Sequence, residues 1–273
     1  MTVENARGLP LTVAGLHKSY GRLDVLRDLN LRVDPGEFVC IVGPSGAGKT
    51  TLLRCLSGLM PASSGTVRYG DTLVDCPQQD IAVVFQDYRG SLLPWMSVRD
   101  NVAFPLQGAG VRKAERRERA ERSLAAVGLP GVGDKFPWQL SGGMQQRVAI
   151  ARGLAYDAPV LLMDEPFGSV DAQARFELED LALDLRRQLG ISIIVVTHDI
   201  DEAVYLGDRV VVLGGSPATV IDTIAVDLGA ERDQIATRAL PRFADLRTRV
   251  LTEIRGGRPE TARPPRNPIG TVA

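Results

Sequence analysis

One run constrains the fold more than any other: Ile41-Val42-Gly43-Pro44-Ser45-Gly46-Ala47-Gly48-Lys49-Thr50-Thr51, which fits the pattern G-x-x-x-x-G-K-[ST]. Residues 37–42 before it read as a buried strand, and residues 51–59 after it carry helical apolar spacing that stops at Gly58. A strand, a glycine-rich loop and a helix in that order form a phosphate cradle. Gly43, Gly46 and Gly48 let the loop curl so that successive backbone N–H groups face one anion. The helix start adds the positive end of its dipole. In such a cradle Lys49 reaches the β- and γ-phosphates and the Thr50 hydroxyl ligates Mg²⁺. The pattern implies a nucleoside triphosphate, held by an α/β sheet.

The chain has 273 residues, enough for one α/β domain with a subdomain and a sizeable core. Its 32 Lys and Arg nearly cancel its 33 Asp and Glu, so no global field draws it to nucleic acid or to an acidic membrane. Cys40 and Cys55 fall in the apolar pattern around the loop and read as small reduced core residues. Neither they nor Cys76 have metal-site spacing. Residues 1–10 lack the apolar centre of a signal peptide, and no apolar run approaches the roughly 20 residues that span a bilayer. These features place the chain in the cytosol, or peripheral to a membrane it does not cross.

Residues 11–16 and 25–33 alternate as antiparallel strands, with a turn at residues 18–21 between them. Tyr20 in that turn is either a strand-end packing residue or a ring that stacks on a nucleotide base. Residues 65–70 read as a short hairpin arm, and residues 81–85 as an apolar strand ending in Gln86. The end of a parallel strand is where such sheets place ligand groups. Residues 87–94 read as a loop and residues 98–128 as helical. Glu115 with Arg119, and Glu118 with Arg122, are i,i+4 pairs on a solvated face rather than a nucleic-acid patch. Ser141 caps a helix running to Ala155, and Gly142 and Gly143 expose backbone N–H groups at its positive end, a second anion site. Residues 160–166 form a buried strand closing on Asp164 and Glu165. Asp164 suits Mg²⁺, and Glu165 suits a base that orients water. Residues 172–188 read as an amphipathic helix. Residues 191–196 read as a central parallel strand that leads to His198, placed for a γ-phosphate contact. Residues 209–213 form another strand and 243–255 a last helix. Residues 256–273, rich in Pro, Gly and Arg, read as a disordered tail.

Taken together, residues 11–213 resemble the nucleotide-binding subunit of an ABC transporter. The motifs occur in order: a Walker A loop, the signature Leu140-Ser141-Gly142-Gly143-Met144, a Walker B strand ending in Asp164-Glu165, and a switch histidine, His198. The resemblance implies a RecA-like core with an antiparallel β-subdomain and an inserted helical subdomain at about residues 90–157, all within an ATPase domain of residues 1–255. By position it implies that Tyr20 stacks on adenine and that the loop from Gly43 to Thr51 binds phosphate. Gln86 senses the γ-phosphate and Mg²⁺, Asp164 organises the metal, Glu165 is the general base and His198 is the switch. Ser141, Gly142 and Gly143 close over the γ-phosphate held by a second ATP-binding subunit, taken as another copy of the chain. Asp171 is kept in a loop that otherwise departs from the usual pattern at Ser169 and Val170. The run Ser91-Leu92-Leu93-Pro94-Trp95 and residues 196–203 are similar to the nitrate/sulfonate/taurine-type importers. Those work at the cytoplasmic face of the membrane with permease subunits and, through them, a solute-binding protein. Residues 92–95 either pack within the helical subdomain or form part of a groove for the permease.

Other ATPases fit less well. No room for a long coiled coil lies between Lys49 and Asp164, and there is one cassette rather than two, which argues against a soluble ABC ATPase acting on DNA or the ribosome. A P-loop kinase has no use for the signature. A non-hydrolysing switch has no use for Glu165.

Overall fold

The structure is a computed structural model that describes residues 6–256. In chain order its strands are β1 (Leu11–Tyr20), β2 (Leu23–Val33), β3 (Phe38–Val42), β4 (Ser64–Tyr69), β5 (Thr72–Leu73), β6 (Ile81–Val84), β7 (Val160–Asp164), β8 (Ser192–Val196), β9 (Arg209–Gly215) and β10 (Ala218–Ala225). Its helices are α1 (Lys49–Leu56), α2 (Tyr88–Ser91), α3 (Val98–Gly108), α4 (Lys113–Ala126), α5 (Gly142–Leu154), α6 (Ala172–Leu189), α7 (Ile200–Leu206) and α8 (Pro241–Gly256).

Every residue of β3, β7 and β8 is buried, as a strand covered on both faces requires. Successive side chains alternate between two apolar clusters. Phe38, Cys40, Val42, Ile193 and Val195 face the helices α3 to α8, whereas Val39, Ile41, Ile194 and Val196 face α1 and the antiparallel strands. The strand order is β5-β4-β1-β2-β10-β9-β3-β8-β7-β6. The β9-β3-β8-β7-β6 half is parallel throughout; β1, β2, β4 and β5 pair antiparallel. One parallel residue pair, Ala218 with Leu26, joins the halves through β10. This is the mixed α/β architecture of a RecA-like core with an antiparallel β-subdomain, and the segment between β6 and β7 carries four helices, α2 to α5.

Several boundaries differ from the sequence expectation. Lys18 to Tyr20 continue β1, because Lys18, Ser19 and Tyr20 pair with Leu26, Asp24 and Leu23; the turn is only Gly21 and Arg22. Residues 87–94 contain the single turn α2. Residues 98–128 split into α3 and α4 around Gly110, whose φ of 72° is left-handed. Buried Cys40 and Cys55 are free thiols, and burial pushes both pKa values up. The tail expected at residues 256–273 lies, from residue 257 on, outside the described residues; Gly256 closes α8.

Candidate functional site

Parallel register gathers the site at one edge. Ile41 pairs with Val196, Asp164 with Val196, and Val84 with Met163. The loop after β3, the carboxylates at the end of β7, His198 after β8 and Gln86 after β6 therefore emerge side by side. Two backbone bonds tighten this edge: Thr197 N–H donates to Ile41 O (3.1 Å) and Glu165 N–H to Val196 O (2.8 Å).

The phosphate loop runs from Gly43 to Gly48. A Cβ at Gly43 would lie 2.8 Å from the Leu213 carbonyl oxygen, so β9 forbids any side chain there. Gly48 starts α1 in the left-handed region (φ 73°), with Val25 and Leu26 filling the space beside it. Ser45 and Gly46 are exposed, Pro44 is half-buried and Ala47 is buried. Lys49 is buried and curls back over the loop, its Nζ donating to the Gly43 and Pro44 carbonyls at 3.0 and 3.2 Å. Burial lowers its pKa, against the pull of Glu165 and Asp164. Thr51 follows on α1, half-buried. A cleft of about 410 Å³ flanks the loop, lined by Asp24, Val25, Ser45 and Ser216 among others.

Thr50 Oγ1 donates to Asp164 Oδ1 at 3.2 Å. Asp164 is 5% exposed, and desolvation drives its pKa upward despite that hydrogen bond. An oxygen pair of this kind, one carboxylate and one hydroxyl, suits a hard cation whose other ligands come from phosphate and water. Among the described residues no group of three or more His, Cys, Asp or Glu is arranged to hold a metal unaided. The donor set thus fits Mg²⁺ arriving with a nucleotide.

Glu165 sits at φ 43°, unusual for a non-glycine residue, and the turn closes with Gly168 N–H on its carbonyl at 3.3 Å. Its Oε2 accepts from Gln86 Nε2 (2.9 Å) and lies 3.2 Å from His198 Nδ1. Gln86, Glu165 and His198 therefore converge on one oxygen. Tyr20, 46% exposed, ends β1; its hydroxyl donates to Met60 Sδ (2.9 Å) and Lys18 Nζ lies 5.3 Å from its ring centre. Ser141 caps α5, its Oγ accepting from Met144 N–H at 3.3 Å. Among the described residues no hydrogen bond or ion pair joins Ser141, Gly142 or Gly143 to the Glu165 cluster. Gly143 instead faces Ala174 at the start of α6.

Two side chains escape sequence reasoning. Arg152 on α5 donates to Ser91 O (2.5 Å) and Ser91 Oγ (2.8 Å), tying α5 to α2, and burial lowers its pKa. Arg175 on α6 contacts Asp199 Oδ2 at 3.3 Å. The one sequence signal for Arg152 is a cation inside the apolar run of residues 148–155.

The family model described as ABC transporter matches residues 26–168. The taurine import ATP-binding protein TauB of Escherichia coli (strain K12) is 39% identical over 248 residues, 89% of this chain and 96% of that protein. The protein of the same name from Chromobacterium violaceum is 44% identical over 241 residues, 87% and 92% of the two chains. Among solved structures, the dimeric post-hydrolysis state of the ATP-binding cassette MJ0796 with ADP and Pi superposes with a TM-score of 0.70 at 32% identity, over 80% of this chain and 99% of that one. The cbiO1 protein of Clostridium perfringens, part of the ABC transporter complex cbiONQ, gives 0.72 at 30% identity, over 80% and 89%.

Proposed function

This chain belongs to the ABC transporter family, and from that membership we propose that it is the ATP-binding and ATP-hydrolysing subunit of an importer with a separate permease. The observation that carries the reading is the meeting of Gln86 and His198 on one oxygen of Glu165, beside the phosphate loop. Phosphoryl transfer to water asks a protein for positioning and charge stabilisation more than for covalent chemistry. Lys49 and the loop N–H groups bind the β- and γ-phosphates; Lys49 gives up its carbonyl contacts to do so. Tyr20 presents a half-exposed ring to the adenine. Glu165 accepts the proton of the attacking water and His198 steadies the γ-phosphate. Gln86 spends its amide N–H on Glu165 and keeps its carbonyl oxygen for the cation. Mg²⁺ would be held by Thr50, Asp164 and Gln86, and when bound it neutralises charge on the phosphates.

Ser141, Gly142 and Gly143 serve a partner's nucleotide rather than their own, since among the described residues no hydrogen bond or ion pair ties them to the local cluster. The partner is a second copy of the chain. Helices α2 to α5 form the helical subdomain at about residues 90–157. Its exposed side carries a cavity of about 300 Å³ lined by Trp95, Phe104 and Phe136, with Trp138 stacked on Phe136 at 5.9 Å. Asp100, Gln107 and Arg116 line it as well, so an amphipathic helix of the permease fits such a groove. No helix among the described residues is long and apolar enough to cross a membrane. In this reading attachment to the cytoplasmic face runs through the permease, which receives solute from a solute-binding protein. The names of the relatives support an importer over a soluble ATPase acting on nucleic acid or the ribosome, and a small sulfonate such as taurine as the solute.

The test is ATP hydrolysis by the chain reconstituted with its permease and solute-binding protein in vesicles. Turnover should require Mg²⁺ and rise when taurine is supplied. Turnover that ignores every solute but rises with RNA or DNA would overturn the reading.

A further inference from the structure

His198 is the least enclosed member of the Glu165 cluster, its side chain 60% exposed against 21% for Glu165. Packing therefore encloses the ring little, and beside its 3.2 Å contact with Glu165 its place depends on the backbone of residues 197–199. Thr197 N–H donates to Ile41 O (3.1 Å), and Asp199 N–H donates to Thr197 Oγ1 (3.0 Å). Asp199 Oδ1 accepts from Asp201 N–H (2.9 Å) and Glu202 N–H (3.1 Å), capping α7. The remaining oxygen, Oδ2, meets Arg175 Nη1 at 3.3 Å.

Arg175 stands on the first turn of α6. Its N–H donates to Asp171 O (2.9 Å), and Asp171 Oδ1 caps the same helix through Ala174 N–H (2.9 Å). The Arg175 Nε is buried without a hydrogen-bond partner. An arginine with an orphaned donor is a poor stabiliser, yet its charged contact goes to the residue that follows His198.

We propose that Arg175 is a positioning residue for ATP hydrolysis. It registers the loop carrying His198 against the start of α6 and, through the shared first turn, against Asp171. A shift of that turn moves His198 with it. The proposal rests on the reading of Glu165 and His198 given above.

The test is steady-state ATP hydrolysis by the full-length chain and its variants with Mg²⁺. Arg175→Ala should lower kcat roughly ten- to a hundredfold, the scale set by small misplacements near a reacting centre, with KM for ATP unchanged within about twofold. Asp199→Asn keeps an oxygen for the α7 cap but turns an amide toward Arg175, and should show the same loss. The double variant should be no slower than either single one, because both remove the same contact. Arg175→Lys keeps the charge and should recover part of the rate. A normal kcat in Asp199→Asn, or losses that multiply in the double variant, overturns the proposal even if Arg175→Ala folds poorly. His198→Ala is the control: full turnover there sinks the reading of His198 itself, whereas loss there with normal Arg175→Ala turnover sinks only the role of Arg175.

Discussion

A carboxylate that accepts from an amide and sits against an imidazole is already oriented before any water reaches it. Glu165 Oε2 accepts from Gln86 Nε2 and lies 3.2 Å from His198 Nδ1, from a backbone conformation that costs about 1–3 kcal/mol for a residue with a side chain. Glu165→Gln preserves the shape and removes the proposed base. ATP affinity should stay within about twofold while turnover falls by roughly 10²–10⁴, the usual span of general base catalysis; equilibrium nucleotide binding and phosphate release measure the two. Glu202 is a different case, because burial raises its pKa well above the usual carboxylate range, with Glu179 and Asp199 adding repulsion. Since the folded pKa is raised, the contribution to stability is complete below the ordinary carboxylate value of about 4.3 and is lost as pH rises through the elevated folded value. Glutamine imitates the protonated acid. The stability advantage of Glu202→Gln over the native chain should be near zero at acid pH and grow with pH by more than about 1.4 kcal/mol, the linkage of one pH unit. Urea unfolding at several pH values would reveal it, and a flat difference would refute it.

Elements differ in how much of them a sequence exposes. Strands β3, β7 and β8 are legible because burial on both faces leaves an unbroken apolar run, and α6 because its apolar stripe repeats over 18 residues. Helix α7 is only seven residues long, with Asp201 and Glu202 in its first turn, too short for periodicity to register. β10 mixes buried with half-exposed residues and owes its place to pairing with β9, a long-range fact absent from its own composition. At the site, the phosphate loop, Asp164, Glu165 and His198 announce themselves at strand ends, and register alone explains why they meet. Arg152 and Arg175 do not, because their work depends on which backbone or carboxylate lies opposite. Arg152 fastens α5 to the segment that follows Gln86. Arg152→Met keeps the apolar stem and drops the hydrogen bonds to Ser91, each to a charged donor and so worth about 1.5–3 kcal/mol. Amide exchange across residues 88–94 should accelerate by roughly tenfold or more while that of β8 stays fixed. Equal exchange in both chains would show α2 to be held by other contacts.

For the whole molecule the separation of the two proposed anion sites is the decisive feature. One chain offers the proposed phosphate loop with the proposed base and metal ligands, and on another helix a second candidate cradle, Ser141 to Gly143, which no hydrogen bond or ion pair among the described residues joins to Gln86, Glu165 or His198. A dimer in which each cradle covers the other chain's nucleotide uses both. The structural relative MJ0796 was itself solved as a dimer. Ser141→Asp isolates this claim from folding. Aspartate is as good an N-cap as serine, and a carboxylate at a helix start is favoured by the dipole, so α5 should keep its stability. Against a triphosphate the same carboxylate is repulsive. In a Glu165→Gln background, which cannot consume its nucleotide, ATP should convert the 29.4 kDa chain to a species of twice that mass in sedimentation. With Ser141→Asp added, ATP should still bind, because the phosphate loop of the same chain is untouched, but the mass should stay that of one chain. Dimerisation undiminished by the added charge would mean that the Ser141 cradle faces something other than the partner's nucleotide.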